Sequence, residues 1–263
     1  MSLTATPEPV HIPHLGHAVH LGKHEVKKDK QNLKFAAYLP KKADLLPTPP
    51  ARVKRVQAVT DWPMYGNDTL PDCTFASLAH MIELWSAVAQ QPKVPTEADV
   101  LAGFAATGPQ DQGRYELDVL KFWRKTGVGG DKILAFLQID PKNVLHVELA
   151  VYLFGGIYAG FALPKTAQVQ SDPSKVWAVG RGAGAAPGSW GGHAVPIFDY
   201  WRSKGRLSCV TWGYVQQMTW GFWNKYADEA YAVVSPDWVN TAGDSPVPGF
   251  NMTKLLADLA QLG

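Results

Sequence analysis

The chain has 263 residues, 46% apolar and 18% charged, with a formal net charge of +2. This is the make-up of a globular protein long enough for a sizeable core, not of a disordered chain. The small net charge gives no broad basic surface, so neither a nucleic-acid nor a membrane partner is expected.

Only two cysteines occur, Cys73 and Cys209, which excludes a disulfide-dense scaffold. No basic segment leads into an apolar signal core, and no apolar run approaches the ~18 residues of a membrane span. A soluble chain without an export signal, cytoplasmic by default, is the expectation.

Residues 1–50 stand apart. They hold His11, His14, His17, His20 and His24, a basic patch from Lys23 to Lys30, and Pro47, Pro49 and Pro50. They read as an extended His/Pro-rich N-terminal arm, ahead of one domain over 51–263. The histidine spacing suggests metal chelation, but Pro13 and Gly16 interrupt a helix and no carboxylate or cysteine completes a ligand set. No metal or other cofactor is expected.

From Arg52 to Thr60, Val53, Val56 and Val59 with basic residues between them read as a short edge strand. A turn-rich loop, Gly66 to Asp72, then runs into Phe75, Leu78, Ala79, Ile82, Trp85 and Val88, the spacing of a one-sided buried helix. Thr96 with Asp99 predicts a capped second helix to about Ala105. Tyr115 to Lys125 predicts a third, stopped at Gly127. Asp140-Pro141 reads as the start of a fourth that ends near Gly155. After Gly156 the period changes to two, giving strands over Ile157 to Leu163, Ala194 to Tyr200, Leu207 to Trp212 and Ala230 to Val234. Thr219 caps a short helix between the last two, and Met252 to Leu262 reads as an amphipathic closing helix. Helices first and antiparallel strands after predict an α+β fold. Its helical lobe covers about 66–155, its β lobe about 156–240 and its C-terminal helix about 251–262. Ten tryptophans, seven from Trp177 onward, read as core and cleft lining.

Cys73 falls where loop becomes helix, and a thiol there feels the partial positive charge of unpaired N–H groups. Two readings fit: a nucleophile, or a small buried residue at a core helix. His193 follows a glycine pair at the head of a buried strand, as a core histidine or as the base of a Cys–His pair adjacent in space.

Several pieces in order resemble the papain-like cysteine peptidase superfamily over roughly residues 55–235. Asn67 lies six residues before Cys73, where that family carries an oxyanion glutamine. Cys73 opens the long helix. The run LFGGIYAGFALP (Leu153 to Pro164) resembles the helix, turn and strand before the family's histidine. The HAV at His193 matches the histidine strand, and VTWGYV from Val210 resembles the strand bearing Asn-Ser-Trp-Gly. The resemblance implies a two-lobe fold with its site in the cleft, Cys73, His193 and Asn67 as catalytic residues, and a peptide or amide substrate. Two departures stand out. Asn67 is shorter than glutamine, and Val210 takes the place of the asparagine that orients the histidine, leaving Thr211, Asp199 or a backbone carbonyl to accept its N–H. The implied reaction is cysteine-dependent hydrolysis through a thioester. An acyl transfer by the same pair, or an inactive binding or structural relative, remains open. The arm is too short and insufficiently helical to match the family's inhibitory propeptides.

Overall fold

The computed structural model describes residues 8–12, 14–42, 45–46, 48–90, 93–238 and 250–262. The proline expectations at 13 and 47 lie outside the described residues, as do 239–249. The chain opens with a hairpin, β1 (Val10–Ile12) and β2 (His17–Val19). An edge strand β3 (Arg52–Val53) precedes three helices, α1 (Cys73–Val88), α2 (Glu97–Ala106) and α3 (Glu116–Lys125). Then come β4 (Ala135–Ile139), α4 (Val144–Phe154), β5 (Ile157–Leu163), β6 (Val176–Trp177) and β7 (Gly191–Trp201). Strands β8 (Arg206–Thr211) and β9 (Tyr214–Thr219), helix α5 (Trp220–Tyr226), β10 (Ala227–Val234) and α6 (Met252–Leu262) complete the chain.

The main sheet runs β4-β10-β5-β7-β8-β9-β6, with β3 also on β7. Every pairing is antiparallel except β6 with β9. Alternation along the strands divides the apolar residues between two faces. On β10, Tyr231 and Val233 pack with α1, α2 and α3, while Ala230, Ala232 and Val234 join α4, α5 and the N-terminal segment. The fold is α+β, with helices packed on an antiparallel sheet. No helix among the described residues is long and apolar enough to cross a membrane.

Local chemistry explains where the elements start and stop. Thr96 and Asp99 form a reciprocal capping box on α2. Three expected boundaries fall elsewhere. Asp140 closes a tight turn, accepting from Lys142 N at 2.9 Å, and Asn143 caps α4 three residues later by accepting from His146 N. The i, i+3 valines after Arg52 form a 3-10 turn over Val56–Ala58 rather than more strand, matching the three-residue repeat of that helix. Trp212 and Gly213, at φ +45° and +76°, form the two-residue turn of the β8–β9 hairpin, so the chain reverses where a continuing strand was expected.

Candidate active site

Cys73 is the first residue of α1, is buried, and carries a free thiol. The helix is held to the strand bearing His193 by Ser77, whose hydroxyl donates to Ala194 O at 2.7 Å. Tyr158 OH donates to Thr74 O at 2.8 Å and fixes the first turn from β5. Burial raises the Cys73 thiol to about 12, although N–H groups of Ala194 and Gly22 oppose the shift. The helix terminus does not by itself produce a thiolate here: removal from water outweighs it.

His193 sits in β7, fully buried. Its Nε2 lies 2.8 Å from Thr211 Oγ1, and its ring stacks on Trp212 at 4.6 Å between centroids and 21° between planes. Nδ1 has no hydrogen-bond partner among the described residues. Burial depresses the imidazole to about 3, so it is neutral at ordinary pH. Val210, aligned with the family's asparagine, packs into the helix-side core instead. The oxygen on the histidine comes from the next residue, Thr211, and meets Nε2 rather than Nδ1. Asp199 accepts from the backbone N–H groups of Arg55 and Val56 and has no part in this contact.

Asn67 is buried beside this helix start. Its Nδ2 donates to Leu70 O at 3.1 Å and to His20 O at 3.3 Å, so both amide hydrogens are engaged.

The N-terminal segment runs through the groove between these residues. Gly22 N donates to Cys73 Sγ at 3.3 Å, and the next amide, Lys23 N, donates to Gly192 O at 3.0 Å. On the opposite wall Arg114 N donates to Gly22 O at 2.7 Å and His24 N to Arg114 O at 2.9 Å, a parallel bridge. Glycines permit this approach. A Cβ on Gly22 would lie 1.6 Å from Pro71 O, one on Gly113 2.0 Å from Gly22 O, and one on Gly192 2.0 Å from Lys23 O. Arg114 is locked in turn by donating to Thr107 Oγ1 and to the carbonyls of Phe104, Pro109, Gln112 and Gly113. The thiol thus faces a peptide N–H and not a carbonyl carbon, because the Gly22 carbonyl is turned to Arg114.

No protein-family model matches the chain, and no curated protein matches it. Solved structures do. Xylellain, a cysteine protease from Xylella fastidiosa, superposes with a TM-score of 0.63 at 12% identity, over 82% of this chain and 96% of that one. Procathepsin B S9 from Trypanosoma congolense gives 0.57 at 12% identity, over 82% and 86%. The ragweed pollen allergen Amb a 11, a cysteine protease in its proform, gives 0.54 at 16% identity, over 78% and 75%. The chain has the papain-like fold.

Sequence reasoning did not place residues 20–24 in the papain-like groove. Nor did it find the carboxyl groups around Lys23: Asp228, Glu229 and Glu116. A signal was available for two of them. Asp228-Glu229 interrupts the otherwise apolar strand run of β10, and buried carboxylates need a partner. Lys23 itself sat in a polar stretch with no periodicity to mark it as buried. Among the described residues no group of three or more His, Cys, Asp or Glu side chains is arranged to hold a metal ion.

Proposed function

We propose that the protein is a cysteine-dependent hydrolase of peptide or amide bonds, held latent by its own N-terminal segment. The observation that carries this reading is the seating of two consecutive amides of that segment, one on Cys73 Sγ and the next on the carbonyl preceding His193. Consecutive residues are about 3.8 Å apart. Thiol and histidine strand therefore flank one extended peptide, in a groove that already binds peptide backbone from both walls.

When the segment leaves, solvent reaches Cys73 and His193, and the burial that holds both neutral is relieved. The thiol then gives its proton to His193 Nδ1, the nitrogen left free by Thr211. The sulfur attacks the substrate carbonyl carbon, and Asn67 regains the N–H now spent on His20 O, positioned for the oxyanion beside the Cys73 N–H. One such donor is worth ~3 kcal/mol in well-studied cases. Collapse of the adduct breaks the C–N bond, the histidine passes its proton to the leaving amine, and water hydrolyses the thioester to restore the thiol. The Thr211 hydroxyl and the Trp212 ring hold the imidazole in place through these steps.

The same burial favours a second reading, a non-catalytic plugged groove, because a neutral thiol facing an N–H performs no chemistry. The deciding experiment is incubation of the full chain bearing Gly22→Ala with a fluorogenic peptide pool. Hydrolysis abolished by adding Cys73→Ala supports the enzyme; no hydrolysis by a folded Gly22→Ala protein supports the plugged groove.

A further inference from the structure

The Cys–His chemistry leaves one part of the groove unused: a closed acidic pocket filled by a lysine. The Lys23 side chain is fully buried, with Nζ 3.1 Å from Asp228 Oδ2 and 3.0 Å from Glu229 Oε1, and it donates to His24 O. Two consecutive residues reach one ammonium because β10 is irregular between Ala227 and Glu229, where its pairing with β5 shifts register. Tyr231 OH donates to Glu229 Oε2 at 2.9 Å and fixes that carboxyl from behind.

Glu116, the first residue of α3, borders the same space. Neither of its oxygens has a hydrogen-bond partner among the described residues, although it is fully buried. The space exists because residue 160 is glycine. A Cβ there would lie 2.0 Å from Lys23 Cε, 2.8 Å from Glu116 Oε1 and 2.8 Å from Glu229 Cγ. Burial alone would lower the Lys23 pKa, but Glu229, Asp228 and Glu116 outweigh it and raise it. Glu116 is pushed well above the usual carboxylate range by burial and by Glu229.

An anchor for the segment would need none of this, since apolar residues fill buried space at least as well as ions do. Three carboxyl groups around one cation, one of them without a hydrogen bond, are the construction of a recognition pocket. We infer that this pocket selects substrate by accepting a lysine side chain from the residue next to the one held over Cys73, and that Lys23 occupies it in the latent state. The inference rests on the groove being a peptide site.

Two measurements on the full chain test it. The first empties the pocket with Lys23→Ala and follows thermal unfolding in n-butylammonium chloride, the lysine side chain as a free ion. A saturable rise in Tm beyond that in equimolar sodium chloride or butanol is expected, and none in the native chain. A rise no larger than with sodium chloride overturns the pocket. The second uses Gly22→Ala, which leaves every carboxyl in place, with paired peptides differing only as lysine or norleucine at each position within two residues of the cleaved bond. Lysine is expected to raise kcat/KM at least tenfold at one position, and adding Glu229→Gln to remove that preference while norleucine peptides are still cut. Cleavage without any lysine preference overturns the inference and leaves the hydrolase standing. Butylammonium binding without cleavage overturns the hydrolase and leaves a lysine-binding groove.

Discussion

Gly22→Ala is the sharpest perturbation the structure offers, because the new methyl group has nowhere to go. Its Cβ would lie 1.6 Å from Pro71 O and 2.3 Å from Pro71 C, both backbone atoms that cannot rotate aside. The segment must lift, and with it go the bonds of Gly22 O to Arg114, Lys23 N to Gly192 and His24 N to Arg114. At about 1 kcal/mol net for each backbone bond, roughly 3 kcal/mol of seating is lost before the thiol contact is counted. The assay is alkylation of Cys73 by iodoacetamide at pH 7.5, read as modified peptide by mass spectrometry. A thiol at about 12 has about 3,000-fold less thiolate at that pH than a free cysteine near 8.5. Relieving the burial should therefore speed Cys73 labelling by at least about a hundredfold. Cys209, buried in β8 with its thiol also pushed up by burial, serves as the internal control and should stay unlabelled. An unchanged Cys73 rate in a variant with native circular dichroism would show that the segment does not protect the thiol.

Cys73→Ala placed on Gly22→Ala should abolish peptide hydrolysis with the fold intact; remaining turnover at the Gly22→Ala rate would rule out a thioester on Cys73. Thr211→Val leaves the His193 ring without its one hydrogen-bond partner among the described residues, at about 1–3 kcal/mol for a buried polar group. It should lower kcat of the opened enzyme more than it raises KM, with Thr211→Ser restoring it; equal activity of the valine variant would remove Thr211 from the mechanism. Val210→Asn places an amide in the helix-side core, facing away from the histidine. Urea melts should show a loss of about 1–3 kcal/mol with no gain in activity, and a gain would mean the family's acceptor position is in use after all. His193 is neutral in the fold down to about pH 3 but protonates near 6.5 when unfolded. Its contribution is complete above 6.5 and is lost as pH falls through that window. Relative to His193→Gln, the native chain should lose about 1.4 kcal/mol per pH unit between 6.5 and 3; a constant difference in paired urea melts would contradict the burial.

What the sequence disclosed follows from how far apart the determinants lie along the chain. The start of α1 at Cys73 and the box on α2 are local, written in adjacent residues, and both were legible. Strand β4 was not. Its AFLQI run is five residues with no alternation, and it is a strand because β10 pairs with it along its whole length. The aspartate before Pro141 had the right chemistry for a cap, but Asn143 had it too, and only the packing of α4 decides between them. The turn at Trp212 was unreadable for another reason: a tryptophan at positive φ is unfavourable alone, and stacking on His193 holds it there. The course of residues 20–24 depends on glycines at 22, 113 and 192 meeting across a groove, which one-dimensional spacing does not encode.

The segment over Cys73 is pinned on both sides. Ile12, Val19 and Leu21 before it, and Phe35 and Tyr38 after it, are buried in the main core. If the segment inhibits as proposed, a leash at both ends means that it cannot be diluted away. Its effective concentration is set by the length of the loop between the anchors, on the order of millimolar or higher, and is the same in a crowded compartment or a dilute assay. Opening the groove is therefore a first-order event whose rate does not depend on protein concentration. An outside peptide gains entry only by outbidding a tethered rival or by waiting for the loop to lift. On the proposed function, weak ligands would be screened out by this competition, and a strong one would act as both substrate and activator.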